Sequence, residues 1–416
     1  MTAATSQATF PATTDVLVVG AGPTGLALAT SLCRLGADVT LVDLGTEIRT
    51  DSRAAGVQPR TLQDLDRLDA AGPLIAKGLK GTGFRVANRD GTLLELPYAG
   101  LDTPYPFLLL VPQSETEQVL RDALTAAGGR IWSGYRLLEL HQEFDAVATL
   151  VAGPDGLVHS VRARYVAGCD GLHSGVRGQA GIEFAGQRRP QEYALADVRM
   201  TETSPTPRVT FTFSPDGMLL QSPLPDGIVR VVASVPDATG ALDRAGVQDL
   251  IDRRCGPGDR ATVAEIVRST PYTVTSRLAA TFAKGRVFLA GDAAHVHSPA
   301  GGQGMNTGIQ DAVHLAGLLA QVLRPDDPGD PGDPADPADP ADPSILARYD
   351  AERRPNAAAL LAFTGQLTAV AELSDPEQMR LRDQVLARSR DVPGLPQFFA
   401  RRLAQLDVPA AGWPAS

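Results

Sequence analysis

The stretch from Asp15 to Asp43, DVLVVGAGPTGLALATSLCRLGADVTLVD, contains two short apolar runs on either side of an Ala- and Leu-rich segment. The first run, Asp15–Val19, is typical of a strand buried in a parallel sheet. The segment Leu26–Leu35 predicts a helix that ends at Gly36, and Asp38–Asp43 predicts a second strand. Strand, helix and strand within about 30 residues form one βαβ unit, so the sequence predicts an α/β fold.

The turn between the first strand and the helix, GAGPTG, has the spacing of a phosphate-binding loop. Gly20 permits a tight turn, Gly22 lets the backbone approach a pyrophosphate, and Gly25 lets the helix pack closely on the strand. The helix N-terminus offers N–H groups and the positive end of its dipole to that pyrophosphate. The residues predicted to bind a dinucleotide phosphate are Gly20, Gly22, Pro23, Thr24 and Gly25.

An acidic residue supports the same interpretation from a second position. Asp43 ends the second predicted strand, 18 residues after Gly25. This is close to the spacing of the carboxylate that accepts a hydrogen bond from a ribose hydroxyl in dinucleotide-binding folds. A glycine turn that binds nothing would not require an acid there, so the pattern favours a dinucleotide ligand.

The length and charge limit the class of protein. A chain of 416 residues exceeds what one hydrophobic core usually organises, so we expect two or three domains. The net charge is −10, and seven aspartates lie in the Asp-Pro tract Asp326–Ser344, which leaves the rest of the chain near −3. The sequence has no basic face that would indicate nucleic-acid binding. It also has no basic amphipathic stretch and no long apolar run that would indicate a membrane protein.

The cysteines and the N-terminus suggest a cytoplasmic protein. Cys33, Cys169 and Cys255 are far apart and odd in number, which favours three reduced thiols over a disulfide framework. Residues 1–14 lack the basic start and apolar centre of a signal peptide. The Asp-Pro tract itself predicts an exposed, semi-stiff loop, because proline at that density cannot continue a helix.

The pattern changes after the first unit. Pro59 opens a predicted helix, Asp90-Gly91 marks a predicted hairpin, and Ser114–Ala127 predicts an amphipathic helix. Residues 183–276 alternate strand-like runs with Pro/Gly turns, which predicts an antiparallel sheet. Gln303–Leu323 predicts a long helix, and two or three further helices are expected over residues 345–406.

Several patches occur in a fixed order along the chain: the glycine turn, SRAAGVQPRTL (Ser52–Leu62), VPQSETEQVL (Val111–Leu120), CDGLHSGVR (Cys169–Arg177), AGDAAHVHSPAGGQGMN (Ala290–Asn306) and YDAERRP (Tyr349–Pro355). In this order they resemble the FAD-dependent class A monooxygenases, whose layout is that of para-hydroxybenzoate hydroxylase, and above all the aromatic polyketide and phenol hydroxylases. Many polyketide hydroxylases add a thioredoxin-like domain, which the roughly 70 residues after the Asp-Pro tract are too few to form.

The resemblance implies a Rossmann-type FAD-binding domain with an inserted antiparallel β-sheet substrate domain and a C-terminal helical segment. The expected FAD-binding parts are residues 1–75, 107–182 and 277–325, and the expected substrate-domain parts are residues 76–106 and 183–276. The Asp-Pro loop would then occupy residues 326–344, and the C-terminal helices residues 345–416.

The resemblance also implies the contacts with FAD. Arg53 lies beside the FAD, Gln113 reaches the ribityl chain, and Asp170 supports the FAD pyrophosphate and the passing nicotinamide cofactor. Asp292, after Gly291, bonds the ribityl hydroxyls, and Pro299 lies next to the isoalloxazine ring. The remaining residues expected beside the ring are Gly302, Gly304, Met305 and Asn306.

The implied reaction is an oxygenation. NADPH or NADH reduces FAD, dioxygen adds to the reduced ring as a hydroperoxide, and its distal oxygen attacks an electron-rich carbon of an aromatic or polyketide-type intermediate, as in bacterial antibiotic biosynthesis. The protein, as a monomer or homodimer, binds FAD, excludes water and orients the small-molecule substrate. No side chain is assigned as the base that ionises the substrate; Tyr98, Tyr105, Tyr193, Tyr272 and Arg208 are candidates by their place in the expected substrate domain.

Other functions are open at this point. The same scaffold suits Baeyer-Villiger oxygen insertion, a redox-silent cyclase or isomerase that keeps FAD as a structural element, and a non-catalytic FAD-binding protein that acts through its Asp-Pro tract. A halogenase is disfavoured, since it needs a W-x-W-x-I-P stretch and the two tryptophans, Trp132 and Trp413, are 281 residues apart. A metal site at His295 and His297 is disfavoured as well, because only Asp292 lies near enough in sequence to be a third ligand.

Overall fold

The computed structural model describes residues 9–48, 54–202, 206–235, 240–323, 343–409 and 413. Its strands are β1 (Thr13–Val19), β2 (Val39–Asp43), β3 (Gly56–Val57), β4 (Leu79–Gly81), β5 (Gly83–Asn88), β6 (Gly91–Pro97), β7 (Leu108–Leu110), β8 (Ile131–Ser133), β9 (Arg136–Gln142), β10 (Val147–Ala152), β11 (Val158–Gly168), β12 (Phe184–Met200), β13 (Val209–Ser214), β14 (Gly217–Pro223), β15 (Ile228–Val235), β16 (Val263–Ala279), β17 (Ala283–Lys284), β18 (Val287–Leu289) and β19 (His295–Val296). Its helices are α1 (Pro23–Arg34), α2 (Pro59–Asp66), α3 (Ala71–Ile75), α4 (Gln113–Ala126), α5 (Gly175–Gln179), α6 (Arg244–Arg254), α7 (Gly304–Leu323), α8 (Pro343–Ala371), α9 (Pro376–Ser389) and α10 (Leu395–Leu403).

The first sheet confirms the predicted βαβ unit. Strand β1 pairs in parallel with β2 and with β11, and the sheet runs β17-β18-β11-β1-β2-β8, with the β9–β10 hairpin extending from β11. Helix α1 begins at Pro23, three residues before the predicted start, because proline fits the first helical turn, where its missing N–H is not needed. Helices α1, α4 and α7 pack around this sheet and enclose the main apolar core.

The second sheet is antiparallel over most of its width and runs β19-β16-β12-β15-β14-β13-β5-β6. Strands β5 and β6 form the predicted hairpin at Asp90-Gly91, and β5 then pairs in parallel with β13. One face of the sheet packs on α6 and the other on side chains of α8 and α9. Helix α6 was missing from the sequence prediction; its signals are the Asp243 N-cap and the spacing of Val247, Leu250 and Ile251.

Two long strands of the second sheet extend to the core of the first. Strands β12 and β16 pair from Phe184 and Ala279, beside the first core, to Met200 and Val263, beside the α6 core. A third, smaller sheet has the order β3-β7-β4, so the predicted strand around residues 107–111 lies in neither of the two large sheets.

Three helices follow the Asp-Pro tract, as predicted, although α8 already begins at Pro343 and contains Pro355. Residues 324–342, which include nearly all of the tract, lie outside the described part of the chain. Among the described residues no single helix is long and apolar enough to cross a membrane; one pair bent by 119°, Leu346–Ala371 with Pro376–Ser389, passes on length and composition when taken together.

Candidate active site

The glycine turn after β1 is built as the spacing predicts. Gly20 adopts a φ of +104°, and a Cβ there would collide with the backbone of Cys169, while a Cβ on Gly25 would collide with the carbonyl of Gly20. Gly22 differs, because no heavy atom of the described residues lies within 4 Å of an added Cβ. The turn therefore needs two glycines for packing, and the third keeps its Cβ position open.

The N-terminus of α1 is available to an anion. Gly22 is the N-cap residue; no side chain in the described part of the chain caps the helix, and the first turn has no acidic residue. The unpaired N–H groups of a first helical turn, with the positive end of the dipole, favour a phosphate. This open, uncapped helix end fits the pyrophosphate of a dinucleotide.

Asp43 lies at the end of β2 but is held by the protein backbone. Its two carboxylate oxygens accept hydrogen bonds from the N–H groups of Ala21 and Gly45, each at 2.6 Å. The carboxylate thus braces the glycine turn. Its predicted bond to a ribose hydroxyl stays a prediction.

The Gly-Asp patch lies against the glycine turn. Gly291 adopts a φ of +60°, and the Thr24 side chain occupies the space where Cβ atoms on Gly291 and Gly308 would lie. Asp292 is exposed, whereas the following Ala293 and Ala294 are buried. The carboxylate of Asp292 therefore stands at the surface, one residue from the contact with the first turn of α1.

The glycine loop before α7 (residues 298–303) is held by hydrogen bonds to buried side chains. Gly301 and Gly302 adopt positive φ, and an added Cβ on Gly302 would meet no described atom within 4 Å. The buried amide of Asn306 accepts from the Gln58 N–H at 2.8 Å and donates to the carbonyls of Gly56 and Gly302. This loop keeps one open glycine position on a rigid base, which suits a flat ring lying on the backbone.

Gln58 was missed by sequence reasoning although it lies within SRAAGVQPRTL. Its side-chain N–H donates to the Gly301 carbonyl at 3.2 Å, and its oxygen accepts from the Tyr98 hydroxyl at 2.9 Å. Tyr98, a candidate base, is fully buried, and burial raises the pKa of its hydroxyl well above the ordinary value. Tyr98 therefore supports the loop and stays protonated.

The Asp-Gly patch is joined to the Gly-Asp patch. Asp170 accepts hydrogen bonds from the Ser174 hydroxyl and from the N–H groups of Gly175 and Val176, which caps the short helix α5. Arg177 in the same patch donates to the carbonyl of Ala293 at 2.9 Å. The two patches, more than 100 residues apart, are thus in contact.

The structure describes some, but not all, of the other residues expected to contact FAD. Gln113 begins α4 and donates to Glu117 at 2.9 Å. Pro299 is exposed, and Gly304 and Met305 open α7, where their backbone N–H groups belong to a helix start. Arg53 lies outside the described residues.

The histidines of the glycine-rich stretch have different surroundings. His295 is buried, and its Nε2 lies 2.6 Å from Asp311, which also accepts from Arg353 at 2.7 Å. Burial and the charge of His295 lower the pKa of His297 to about 4, so this imidazole is neutral at physiological pH. No group of three His, Cys, Asp or Glu side chains suited to a metal occurs in the part of the chain that the structure describes.

The remaining candidate bases differ in their surroundings. Arg208 forms an ion pair with Glu95 at 3.1 Å on the surface. Burial, the Asp66 hydrogen bond and the Asp66 charge raise the pKa of Tyr105 to about 12. Tyr193 donates to Glu372 at 2.9 Å, and the side chain of Tyr272 is outside what the structure describes.

The chain is similar to one protein family over most of its length and to individual proteins of known activity. A family model described as an FAD binding domain matches residues 13–364. The chain is 33% identical over 418 residues to a Streptomyces rimosus protein, 12-dehydrotetracycline 5-monooxygenase/anhydrotetracycline 6-monooxygenase, covering 96% of this chain and 78% of that protein.

Two solved structures show the same architecture. The p-nitrophenol 4-monooxygenase of Pseudomonas putida aligns with a TM-score of 0.81 at 27% identity, over 96% of this chain and 99% of that one. The Diels-Alderase of pyrroindomycin biosynthesis aligns with a TM-score of 0.73 at 26% identity, over 98% and 81%.

Proposed function

Because the chain belongs to the FAD-dependent aromatic monooxygenases, we propose that it hydroxylates a phenolic or polyketide-type aromatic compound at the face of the second sheet. It is an FAD-dependent monooxygenase that uses NAD(P)H as co-substrate. We further propose that NADPH is the preferred donor, that dioxygen is the second substrate, and that the enzyme works in the cytoplasm as a monomer or homodimer.

The observation that carries this proposal is the contact between the glycine loop and α8. Ser298, at the start of the loop, accepts a hydrogen bond from Thr368 at 2.6 Å, and both side chains are buried. Between α8–α10 and the inner face of the second sheet, partly buried apolar side chains face one another: Val86, Phe211, Leu220, Val232, Phe363, Leu367, Leu386 and Phe399. The loop that suits a flavin ring therefore adjoins an apolar layer that suits an aromatic substrate.

FAD, when bound, takes up electrons from the nicotinamide and activates dioxygen for insertion into the substrate. The protein's part is positioning. The first turn of α1 and Gly22 would hold the pyrophosphate, Asp292 the ribityl hydroxyls, and the helix start at Gly304–Asn306 the polar edge of the ring. The apolar layer excludes water and fixes the aromatic carbon that reacts.

The test is NADPH consumption by the purified yellow protein with a panel of phenols and polycyclic aromatic compounds under ¹⁸O-labelled dioxygen. A substrate should stimulate NADPH consumption and give a product that carries one labelled oxygen. The similarity to the Diels-Alderase defines the second candidate, a redox-silent cyclase. A product without labelled oxygen and without NADPH consumption would replace hydroxylation by cyclisation.

A further inference from the structure

Glu372 is an acidic residue that lies next to the apolar layer and belongs to none of the sequence motifs that resemble the family. Glu372 directly follows the end of α8, and its Oε1 accepts the Tyr193 hydroxyl proton at 2.9 Å. Tyr193 is 3% exposed, whereas Glu372 is only partly buried. Glu372 is thus the more exposed residue of the pair, and the Tyr193 hydroxyl holds its carboxylate from the side of the sheet.

The pair is close to the glycine loop. Thr364, Thr368 and Glu372 are spaced four residues apart and so lie on one side of α8. The Glu372 N–H donates to the Thr368 carbonyl at 2.9 Å, and the Thr368 hydroxyl donates to Ser298. The backbone of Glu372 is therefore one helical turn, about 5.4 Å along the axis, from that of the residue that touches the loop.

The surroundings of the pair are apolar on the sheet side. Tyr193 packs with Leu195, Phe213, Met218 and Val274, and with the partly buried Phe211 and Leu220. An aromatic substrate that lies in this layer would bring its hydroxyl to the polar end of Tyr193, where Glu372 is the acceptor.

Charged side chains occur on two elements near the pair, α9 and β12. On α9, Arg382 lies 4.3 Å over the Phe213 ring, donates to the Val370 carbonyl and pairs with Asp383 at 2.8 Å. On β12, Glu192, the sequence neighbour of Tyr193, is 3.7 Å from Arg188.

We propose that Glu372 is the catalytic base that ionises the phenolic substrate and that Tyr193 is its positioning residue. The O–H bond of the substrate breaks, its proton bonds to a Glu372 oxygen, and the negative charge moves to the phenol oxygen. The ring carbon ortho or para to that oxygen becomes more electron-rich, which favours the oxygen insertion that bound FAD and dioxygen would supply. This inference rests on the proposed hydroxylase function.

The test compares Glu372→Gln and Tyr193→Phe with Glu377→Gln, an exposed glutamate at the start of α9. With a phenol that is neutral at the assay pH, Glu372→Gln should lower the hydroxylation rate about 10²- to 10⁴-fold, the range for loss of a general base. Tyr193→Phe should lower it less, and Glu377→Gln should not change it. FAD content and the rate of flavin reduction by NADPH should stay as in the wild type.

The deciding readout is the ionisation of the substrate. A phenol already ionised at the assay pH, such as a nitrophenol, or a higher pH with a neutral phenol, should restore the Glu372→Gln rate towards wild type. Glu372→Asp, which keeps a carboxylate, should retain more activity than Glu372→Gln and covers the case in which the glutamine variant does not fold. An equal loss with neutral and ionised phenols, or no loss, would overturn the assignment of Glu372. Wild-type protein that oxygenates no phenol would instead remove the proposed function.

Discussion

The carboxylate of Asp311 is the point at which three parts of the chain meet. It is 0% exposed and contacts His295, Arg353 and the Gly291 N–H, at 2.6, 2.7 and 3.3 Å. Burial alone would raise the pKa of Asp311, but the charges of Arg353 and His295 outweigh burial and hold the pKa below its ordinary value. Asp311 therefore stays ionised and connects the Gly-Asp patch to α7 and α8.

Asp311→Asn should destabilise the fold by about 3–5 kcal/mol, because Arg353 would keep a buried charge without its partner. The matched control is Asp69→Asn, which breaks the exposed ion pair with Arg34 at 2.6 Å and should change stability by no more than about 1 kcal/mol. Urea unfolding of both FAD-saturated variants measures the free energy. Similar values for the two variants would show that the buried cluster adds nothing beyond an ordinary surface pair.

His297 should make stability depend on pH. Its pKa is lowered from 6.5 to about 4, so between these values the unfolded chain binds a proton and the folded protein does not. The free energy of unfolding should therefore fall as pH decreases through this interval, while His297 adds no slope above it. His297→Gln should flatten this slope and the exposed His173→Gln should not, as measured by urea unfolding at about pH 7 and about pH 4.5.

Sequence reasoning at the residue scale located the glycines better than the polar contacts. A glycine that needs positive φ, such as Gly20, leaves a signal in its own identity and spacing. Gln58 and Asp311 act through partners that are distant in sequence, and neither residue type has a spacing that specifies those partners. Asp43 illustrates the difference, since its position was predicted but its contacts with Ala21 and Gly45 were not.

At the scale of the element, α1 combines two glycine requirements that one experiment can separate. Gly22→Ala should fold normally, because φ is −73° and the added methyl group meets no described atom within 4 Å, but it should weaken FAD binding. Gly25→Ala should reduce folded protein itself, because its methyl group collides with the Gly20 backbone. Circular dichroism measures how much of each variant is folded. The amount of FAD released on denaturation measures how much cofactor it binds. Loss of folding in Gly22→Ala, or FAD-replete stable Gly25→Ala, would contradict this division of roles.

Elements with a strong local pattern were predicted and weakly patterned elements were not. The β5–β6 hairpin has its Asp-Gly turn in the sequence, and α1 has Pro23 at its start. Helix α6 has exposed polar residues such as Arg244 and Asp249 beside four buried residues, and it lies in a region of strand-like runs. Its apolar stripe has only three aliphatic residues, Val247, Leu250 and Ile251, which is a weak signal among the surrounding strand-like runs.

For the whole molecule, the helices on either side of the Asp-Pro tract should hold together without it. Arg353 bonds Asp311, and the Tyr349 hydroxyl donates to the Leu289 carbonyl at 2.8 Å. The Nε2 atom of His314 lies 2.8 Å from a carboxylate oxygen of Glu352. Replacing residues 326–342 by a Gly-Ser segment should therefore preserve FAD content and turnover, since the cost of loop closure depends only weakly on loop length. Arg353→Gln should lower both. Loss of turnover with FAD still bound in the Gly-Ser variant would show that the tract engages the site or a partner.

Strands β12 and β16 have a mechanical consequence for the enzyme. Their ladder crosses from one core to the other and is interrupted only by three register shifts. Because both strands belong to the second sheet, rocking that sheet against the first core would have to bend this hydrogen-bonded pair of strands. We therefore expect the two sheets to move as one unit, and we expect flexibility in short segments such as the glycine loop. We therefore expect ligand entry and release to depend on movement of the glycine loop, while the apolar layer on the second sheet keeps its place.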